Sequence, residues 1–143
     1  MKTYKSASAD ETKKLGEGIG RLLKPGAVVA LTGELGAGKT TMVKGIAKGL
    51  GVRDENKVSS PTFVLIHEYE GRAKIFHIDW YRLAAVQGAD EESALECFER
   101  PDAVTIVEWP ERAPHLLPES ALRVTITHSE KENTREIRVF EQS

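Results

Sequence analysis

The chain has 143 residues, of which 40% are hydrophobic and 29% are charged, and its formal net charge at pH 7 is −2. This length predicts one domain over residues 1–143, and the nearly balanced charge gives no sign of a general attraction to nucleic acid. No apolar run approaches the roughly 20 residues that cross a bilayer, and residues 1–10 lack a secretory signal. We therefore expect a cytoplasmic protein with no membrane role.

The first predicted element is an amphipathic helix. Ser8 and Glu11 have the spacing of a capping box, in which two side chains bond to the unpaired amides of a helix start. Pro25-Gly26 ends the pattern. Four apolar residues at helical spacing predict its buried stripe: Leu15, Ile19, Leu22 and Leu23.

A strand, a glycine-rich turn and a second helix follow. Residues 27–31 are uniformly apolar, which is typical of a strand buried on both faces of an α/β sheet. Beyond the turn, apolar residues mark one face of a helix that Gly51 is well placed to stop. The order strand, glycine loop and helix indicates an α/β protein.

The remaining elements are predicted from periodicity and turn residues. They are two strands of a hairpin at 62–69 and 73–79, a helix at 89–100, a buried strand at 103–107, and a C-terminal antiparallel hairpin around the turn 129–134.

The glycine-rich turn is the strongest functional signal. Its residues match G-x-x-x-x-G-K-[ST] and are followed by a further threonine: Gly33, Glu34, Leu35, Gly36, Ala37, Gly38, Lys39, Thr40 and Thr41. Glycines let successive backbone amides point at phosphate oxygens, and the helix start adds the positive end of a dipole. Lys39 is expected to reach the β and γ phosphates of ATP, and the Thr40 hydroxyl to bind Mg²⁺. A simple connecting turn would need neither side chain.

Two acidic residues are candidates to complete the site. Glu108 ends the apolar run V-T-I-V, and Asp79 ends the run I-F-H-I. We assign Glu108 to the magnesium shell with Thr40, and Asp79 to ordering the attacking water or a metal-bound water. With Lys39 they form the predicted catalytic set, although the division of roles between the two carboxylates stays open and each could also be a solvated strand end.

Thr62 is a candidate contact for the γ-phosphate. It lies in Ser60-Pro61-Thr62, between the loop helix and the next strand, where many nucleotide-binding proteins place a phosphate-sensing segment. Alternatively, Pro61 starts an edge strand and Ser60 caps a turn. The four histidines lack metal-ligand spacing, and we expect them to be surface or packing residues.

Four motifs in this order, G-E-L-G-A-G-K-T-T, S-P-T-F, H-I-D-W-Y-R-L and V-E-W-P-E, resemble the TsaE family, formerly YjeE. That family is the bacterial ATPase needed to make threonylcarbamoyladenosine in tRNA. The resemblance implies a three-layer P-loop NTPase fold with a central, mostly parallel sheet and antiparallel hairpin additions. It also implies magnesium bound through Thr40 and Glu108, a required Asp79, and a nucleotide flanked by Thr12, Glu111 and Arg135. Trp80 departs from the family, which usually has leucine there.

The resemblance further implies a role in an assembly. The chain would hydrolyse ATP while docked on the proteins TsaB and TsaD, without transferring the threonylcarbamoyl group itself, and any contact with tRNA would be indirect. Two other functions share the same loop. A small-molecule kinase would need an acceptor pocket and a lid, for which only residues 80–102 are available. A nucleotide-gated binding module would hold ATP without hydrolysing it.

Overall fold

The computed structural model describes residues 1–34, 36–54, 58, 65–129, 131 and 134–141. Their strands are β1 (Lys2–Ser6), β2 (Val28–Gly33), β3 (Ile66–Glu70), β4 (Lys74–Asp79), β5 (Ala103–Glu108), β6 (Leu122–His128) and β7 (Arg135–Phe140). Their helices are α1 (Ala9–Leu22), α2 (Lys39–Gly49) and α3 (Ala89–Phe98), with short 3-10 turns at Pro110–Arg112 and Pro114–Leu116. In this part of the chain, no helix has the length and apolar character needed to cross a membrane.

All seven of these strands join one sheet in the order β1-β7-β6-β2-β5-β4-β3. The four central strands, β6, β2, β5 and β4, are parallel, whereas the pairs β1–β7, β6–β7 and β3–β4 are antiparallel. The prediction of an α/β protein with a parallel centre and antiparallel additions is confirmed. Strand β3 begins at Ile66, and the earlier part of the predicted strand falls partly outside the described residues.

Helices cover both faces of the sheet. Val29 and Leu31 of β2 point into a core that includes the buried face of α2, and α1 packs on this side. Val28 and Ala30 point into a second core on the opposite face, which includes Ala94 of α3. The alternation along β2 is that of a strand buried on both sides, so the predicted three-layer arrangement is confirmed.

Trp80 belongs to the second core. Its side chain is 1% exposed, and its ring lies edge-on to that of Phe98 with 6.5 Å between the centroids. The large side chain at this position is therefore accommodated as a core residue beneath α3.

Helices α1 and α2 approach each other backbone to backbone. A Cβ atom on Gly20 would lie 2.3 Å from the carbonyl oxygen of Ile46, and one on Gly45 would lie 2.2 Å from that of Lys13. This packing corrects one prediction, because Leu22 is 82% exposed and is not part of the buried stripe. The other three predicted residues, Leu15, Ile19 and Leu23, are partly buried against the core, and the fully buried residues of α1 are small: Thr12, Gly16 and Gly20.

Arg72, in the turn between β3 and β4, ties the hairpin to the ends of both helices. Its guanidinium donates to the carbonyl oxygens of Gly20 at 2.9 Å, Leu23 at 2.7 Å and Gly49 at 2.8 Å. A cation at a helix C-terminus satisfies the last carbonyls and complements the helix dipole. The C-terminal ends of α1 and α2 are thereby joined to the turn between β3 and β4.

Candidate functional site

The glycine loop joins the carboxyl end of β2 to the start of α2. Gly36 and Gly38 have φ angles of +78° and +107°, a left-handed region that side chains rarely adopt. Gly38 is the N-cap of α2 and supplies no side-chain hydrogen bond to the first turn. The amides of this turn therefore face the loop at the positive end of the helix dipole, an arrangement that binds anions.

Lys39 is the first residue of α2 and is only 6% exposed. Its ammonium donates to the carbonyl oxygen of Gly33 and lies 4.0 Å from the centroid of the Trp109 ring. Burial lowers the pKa of Lys39 below its ordinary value, while the nearby carboxylates of Glu108, Asp79 and Glu111 act in the opposite direction. A buried cation thus lies beside the amides of the loop helix.

Trp109 has an unusual backbone conformation. Its φ of 60° makes it the one non-glycine residue with a positive φ in the described part of the chain. The turn that results places the ring over Lys39 and 4.9 Å, between centroids, from the ring of Tyr81. The strand that ends at Glu108 therefore turns sharply at the site, where strained backbone is commonly found.

Asp79 and Glu108 lie at the same edge of the sheet. They are partners in the register of β4 and β5, and Glu108 is also the partner of Leu31 in β2. Glu108 is 2% exposed, and Asp79 is half-buried and accepts a 2.9 Å hydrogen bond at Oδ1 from the Tyr81 amide. Burial raises the pKa of Asp79, and the charge of Glu108 raises it further. The hydrogen bond from the Tyr81 amide and the charges of His77 and Lys39 lower it.

Glu108 has a buried partner that was not predicted as a functional residue. His77 Nε2 lies 2.6 Å from Glu108 Oε2, and His77 Nδ1 lies 3.1 Å from the hydroxyl of Tyr69. The prediction that His77 is a surface or packing residue is incomplete, since it is fully buried and bonded to the candidate metal ligand. The spacing of His77 and Asp79 in the sequence could have indicated this role, because residues two apart lie on the same face of a strand.

Thr12 and Arg135 both reach the glycine loop. Thr12 shares a 2.7 Å hydrogen bond with Ser6, and its methyl group would lie 3.9 Å from a Cβ atom on Gly38. Arg135 donates to the carbonyl oxygens of Ala37 at 3.0 Å and Gly36 at 3.4 Å. A cavity of about 400 Å³ lies between them, lined also by Ala7, Ser8 and Thr41. The structure thus brings these two predicted residues to one side of the loop.

The other predicted residues are placed as follows. Thr40 and Thr41 are in the first turn of α2, Glu34 is exposed at the start of the loop, and Glu111 is exposed in the 3-10 turn after Trp109. Leu35 and Thr62 lie outside the described residues.

The donor set fits a magnesium ion bound together with phosphates. Within the described ranges, no three histidine, cysteine or acidic side chains are grouped as a metal site. Mg²⁺ does not require such a group, because it commonly takes one or two protein oxygens and completes its shell with water and phosphate. The Thr40 hydroxyl and the Glu108 carboxylate are oxygen donors of the required kind.

The fold and site define a mixed α/β protein with a glycine-rich strand–loop–helix junction, a buried lysine and two carboxylates at the same end of a parallel sheet. The sequence profile described as "Threonylcarbamoyl adenosine biosynthesis protein TsaE" matches residues 6–137. The chain belongs to the TsaE family.

Individual relatives agree over most of their length. The "tRNA threonylcarbamoyladenosine biosynthesis protein TsaE" of Treponema pallidum is 43% identical over 121 residues, which is 85% of this chain and 87% of the relative. The protein of the same name from Aquifex aeolicus is 40% identical over 134 residues, 93% of this chain and 91% of the relative.

A solved structure has the same fold. The crystal structure of Bacillus subtilis YdiB superposes with a TM-score of 0.77 at 31% sequence identity. The match covers 99% of this chain and 86% of that chain. The arrangement of the sheet and helices is therefore shared with an experimental structure.

Proposed function

We propose that the chain is a P-loop ATPase that acts in the formation of threonylcarbamoyladenosine in tRNA. The observation that carries the enzymatic part is the position of Lys39, buried at the start of α2 and close enough to Asp79 and Glu108 for their charges to affect it. The names of the relatives supply the pathway. Each of these two parts is open to its own test.

The phosphate-binding part of the proposal follows from the loop. The first-turn amides of α2 and the ammonium of Lys39 bind the β and γ phosphates, with Lys39 exchanging its contact with Gly33 for phosphate oxygens. Thr40 and Glu108 would hold a magnesium ion, which would supply positive charge against the phosphates. A glycine is needed at Gly33, because a Cβ there would lie 2.9 Å from the carbonyl oxygen of Ile126.

Asp79 is proposed to orient the attacking water. Its Oδ1 is fixed by the Tyr81 amide, so the carboxyl group has a defined direction at the end of β4. Its partner in the register is Glu108, which places the two proposed roles on neighbouring strands. Thr62, in the segment that leads to β3, is proposed to contact the γ-phosphate.

The cavity between Thr12 and Arg135 is proposed to receive the nucleoside end of ATP. It adjoins Gly36, Gly38 and Thr41, so a nucleotide with its phosphates on the loop extends toward it. Glu111 lies on the other side, near Lys39. In this proposal Thr12 and Arg135 would lie at the nucleoside end of ATP, and Glu111 at the phosphate end near Lys39.

The partners are proposed from the pathway. We infer that the chain docks on TsaB and TsaD, hydrolyses ATP to help that assembly turn over, and does not itself transfer the threonylcarbamoyl group. Its net charge of −2 favours an indirect relation to tRNA.

Two alternative functions are less well supported. A kinase lid from residues 80–102 would have to cover the loop, but Ala94 and Cys97 of α3 pack on the face of the sheet opposite α2. A binding module that does not hydrolyse ATP would have little use for Asp79 beside Glu108. These observations favour hydrolysis.

Phosphate release from ATP, measured with the chain alone and with TsaB and TsaD added, tests the proposal. We expect magnesium-dependent release that rises with the partners and is lost in Lys39→Ala. No release in either condition would favour the binding module, and phosphorylation of an added acceptor without release of phosphate would favour the kinase. A rate of phosphate release that is the same with and without TsaB and TsaD would indicate an ATPase that lacks the proposed role.

A further inference from the structure

We propose that Tyr69 and His77 are positioning residues for Glu108, forming a buried hydrogen-bond chain that holds its carboxylate in the orientation used at the magnesium site. The inference rests on the proposed function in one respect, the assignment of Glu108 to magnesium. It adds two residues that contact neither nucleotide nor metal.

This series of hydrogen bonds crosses three neighbouring strands on one face of the sheet. Tyr69 is in β3, His77 in β4 and Glu108 in β5. The contacts are 3.1 Å from the Tyr69 hydroxyl to His77 Nδ1 and 2.6 Å from His77 Nε2 to Glu108 Oε2. Tyr69 is 7%, His77 0% and Glu108 2% exposed, so water does not compete for these bonds.

In the proposed arrangement each bond has one direction. A carboxylate oxygen accepts, so the His77 Nε2–H group donates a hydrogen bond to Glu108 Oε2. In this tautomer Nδ1 is an acceptor, and the Tyr69 hydroxyl donates a hydrogen bond to it. The proposal therefore specifies one tautomer and one ring orientation of His77, which can be tested.

The sheet alone does not place the Glu108 carboxylate. Strand pairing fixes the backbone of Glu108, but three side-chain torsions separate its carboxylate from that backbone. The bond from His77 restricts those torsions and uses one acceptor position of Oε2, which leaves other acceptor positions of the carboxylate for a magnesium ion. Partners that orient metal ligands in this way are typically worth about 10- to 100-fold in metal affinity or activity.

A packing role would make different demands. A leucine fills a volume similar to that of histidine in an apolar core, and a phenylalanine fills that of Tyr69. Neither provides a donor, and the buried carboxylate of Glu108 would lose a hydrogen bond. Substitutions that keep the volume and remove the donor therefore separate positioning from packing.

The test uses the full chain with His77→Leu, His77→Gln and Tyr69→Phe. A glutamine amide can donate to Glu108 as the imidazole does, so His77→Gln is the conservative variant. The controls are Tyr4→Phe and His115→Gln, which change two exposed residues that take no part in these hydrogen bonds. Circular dichroism and the melting temperature of each variant verify folding.

The first readout is the Mg²⁺ titration of binding to a non-hydrolysable ATP analogue. We expect His77→Leu to raise the magnesium midpoint roughly 10- to 100-fold, Tyr69→Phe to raise it less, and His77→Gln to recover most of the loss. In steady-state hydrolysis at saturating magnesium, His77→Leu should have a lower kcat than the wild type and an unchanged KM for ATP. The two controls should match the wild type.

The second readout needs neither nucleotide nor activity. Long-range proton–nitrogen correlation spectra of wild-type protein should show His77 as the Nε2–H tautomer with a slowly exchanging ring proton. Tyr69→Phe should keep that tautomer and change the nitrogen chemical shift of His77 Nδ1, because this atom loses its hydrogen-bond donor. This readout tests the hydrogen bonds on which the proposal depends even where His77→Leu does not fold, and the magnesium titrations of Tyr69→Phe and His77→Gln then test the positioning role.

Either of two results would overturn the inference. One is an Nδ1–H tautomer of His77. The other is a magnesium midpoint that equals the wild-type value in Tyr69→Phe, in His77→Gln and in folded His77→Leu. If magnesium-dependent hydrolysis persists in that case, the proposed function stands without it. If the wild type hydrolyses no ATP but the tautomer and the midpoint shifts are as expected, the positioning role stands and the ATPase proposal fails.

Discussion

Asp79 and Glu108 are directly paired in the register of the parallel strands β4 and β5, at the edge of the sheet where β2 leads into the glycine loop. Parallel strands end together, so the two carboxylates and the loop meet although they are far apart in sequence. Glu108 helps to raise the pKa of Asp79, and both charges oppose the lowering of the Lys39 pKa. The site thus brings Lys39 and the two carboxyl groups close enough to influence one another electrostatically.

Lys39→Ala is expected to weaken ATP binding about 10- to 100-fold, the usual worth of hydrogen bonds to a charged group. Equilibrium binding of a fluorescent ATP analogue measures the effect. Lys48→Ala is the matched control, since Lys48 lies on the same helix with its side chain 53% exposed. Equal affinities for the wild type and Lys39→Ala would contradict the assignment of the loop.

Glu108→Gln is expected to raise the Mg²⁺ midpoint for nucleotide binding at least about 10-fold, because it removes a charge from the metal shell. The amide oxygen still accepts the hydrogen bond from His77, so the fold should be preserved. Titration of magnesium against a non-hydrolysable ATP analogue measures the change, with the exposed Glu99→Gln as control. An unchanged midpoint removes Glu108 from the shell.

Asp79→Asn is expected to lower kcat about 100-fold or more while changing ATP affinity little, as for a group that acts on the attacking water. Asparagine Oδ1 can still accept from the Tyr81 amide, which preserves the local turn. Single-turnover hydrolysis and equilibrium binding separate the two quantities. Equal losses in both would make Asp79 a structural or metal-binding residue.

The same substitution predicts a pH-dependent change in stability. Because burial raises the pKa of Asp79 above its ordinary value of 3.8, the native state binds a proton more tightly than the unfolded state does. The contribution of Asp79 to stability therefore falls as the pH rises from about 3.8 through its native pKa. Asp79→Asn should melt at a higher temperature than the wild type at pH 7, and the difference should shrink toward acid pH. A difference that grows toward acid pH would contradict the raised pKa.

Gly45→Ala is expected to destabilise the fold by about 3 kcal/mol or more, because the added methyl group meets the backbone of α1. The melting temperature should fall by roughly 10 °C. Gly18→Ala is the control, since a Cβ there meets nothing within 4 Å. It should stabilise α1 by about 1 kcal/mol, and a similar effect of both substitutions would argue against the close helix contact.

Elements with local signals were predictable from the sequence. Ser8 caps α1 and accepts from the Glu11 amide at 3.1 Å, although the Glu11 carboxylate bonds to the Ala7 amide instead of that of Ser8 itself. The strand, loop and helix from Val28 to Gly49 and both hairpins were likewise predicted, because each depends on neighbouring residues.

Features that depend on distant partners were not predictable. Strand β1 is mostly exposed and forms only by pairing with β7, at the other end of the chain. Leu22 was misplaced because the α1–α2 contact is made through glycines, which hydrophobic periodicity does not record. The bond between His77 and Glu108 needs the pairing of β4 with β5, which no local pattern supplies.

A crystal structure with magnesium and a non-hydrolysable ATP analogue tests the central claim most directly. We predict that the β and γ phosphates lie on the amides at the start of α2, with Lys39 moved from Gly33 to phosphate and the metal between Thr40 and Glu108. A nucleotide bound elsewhere, with Lys39 still on Gly33, would contradict the account.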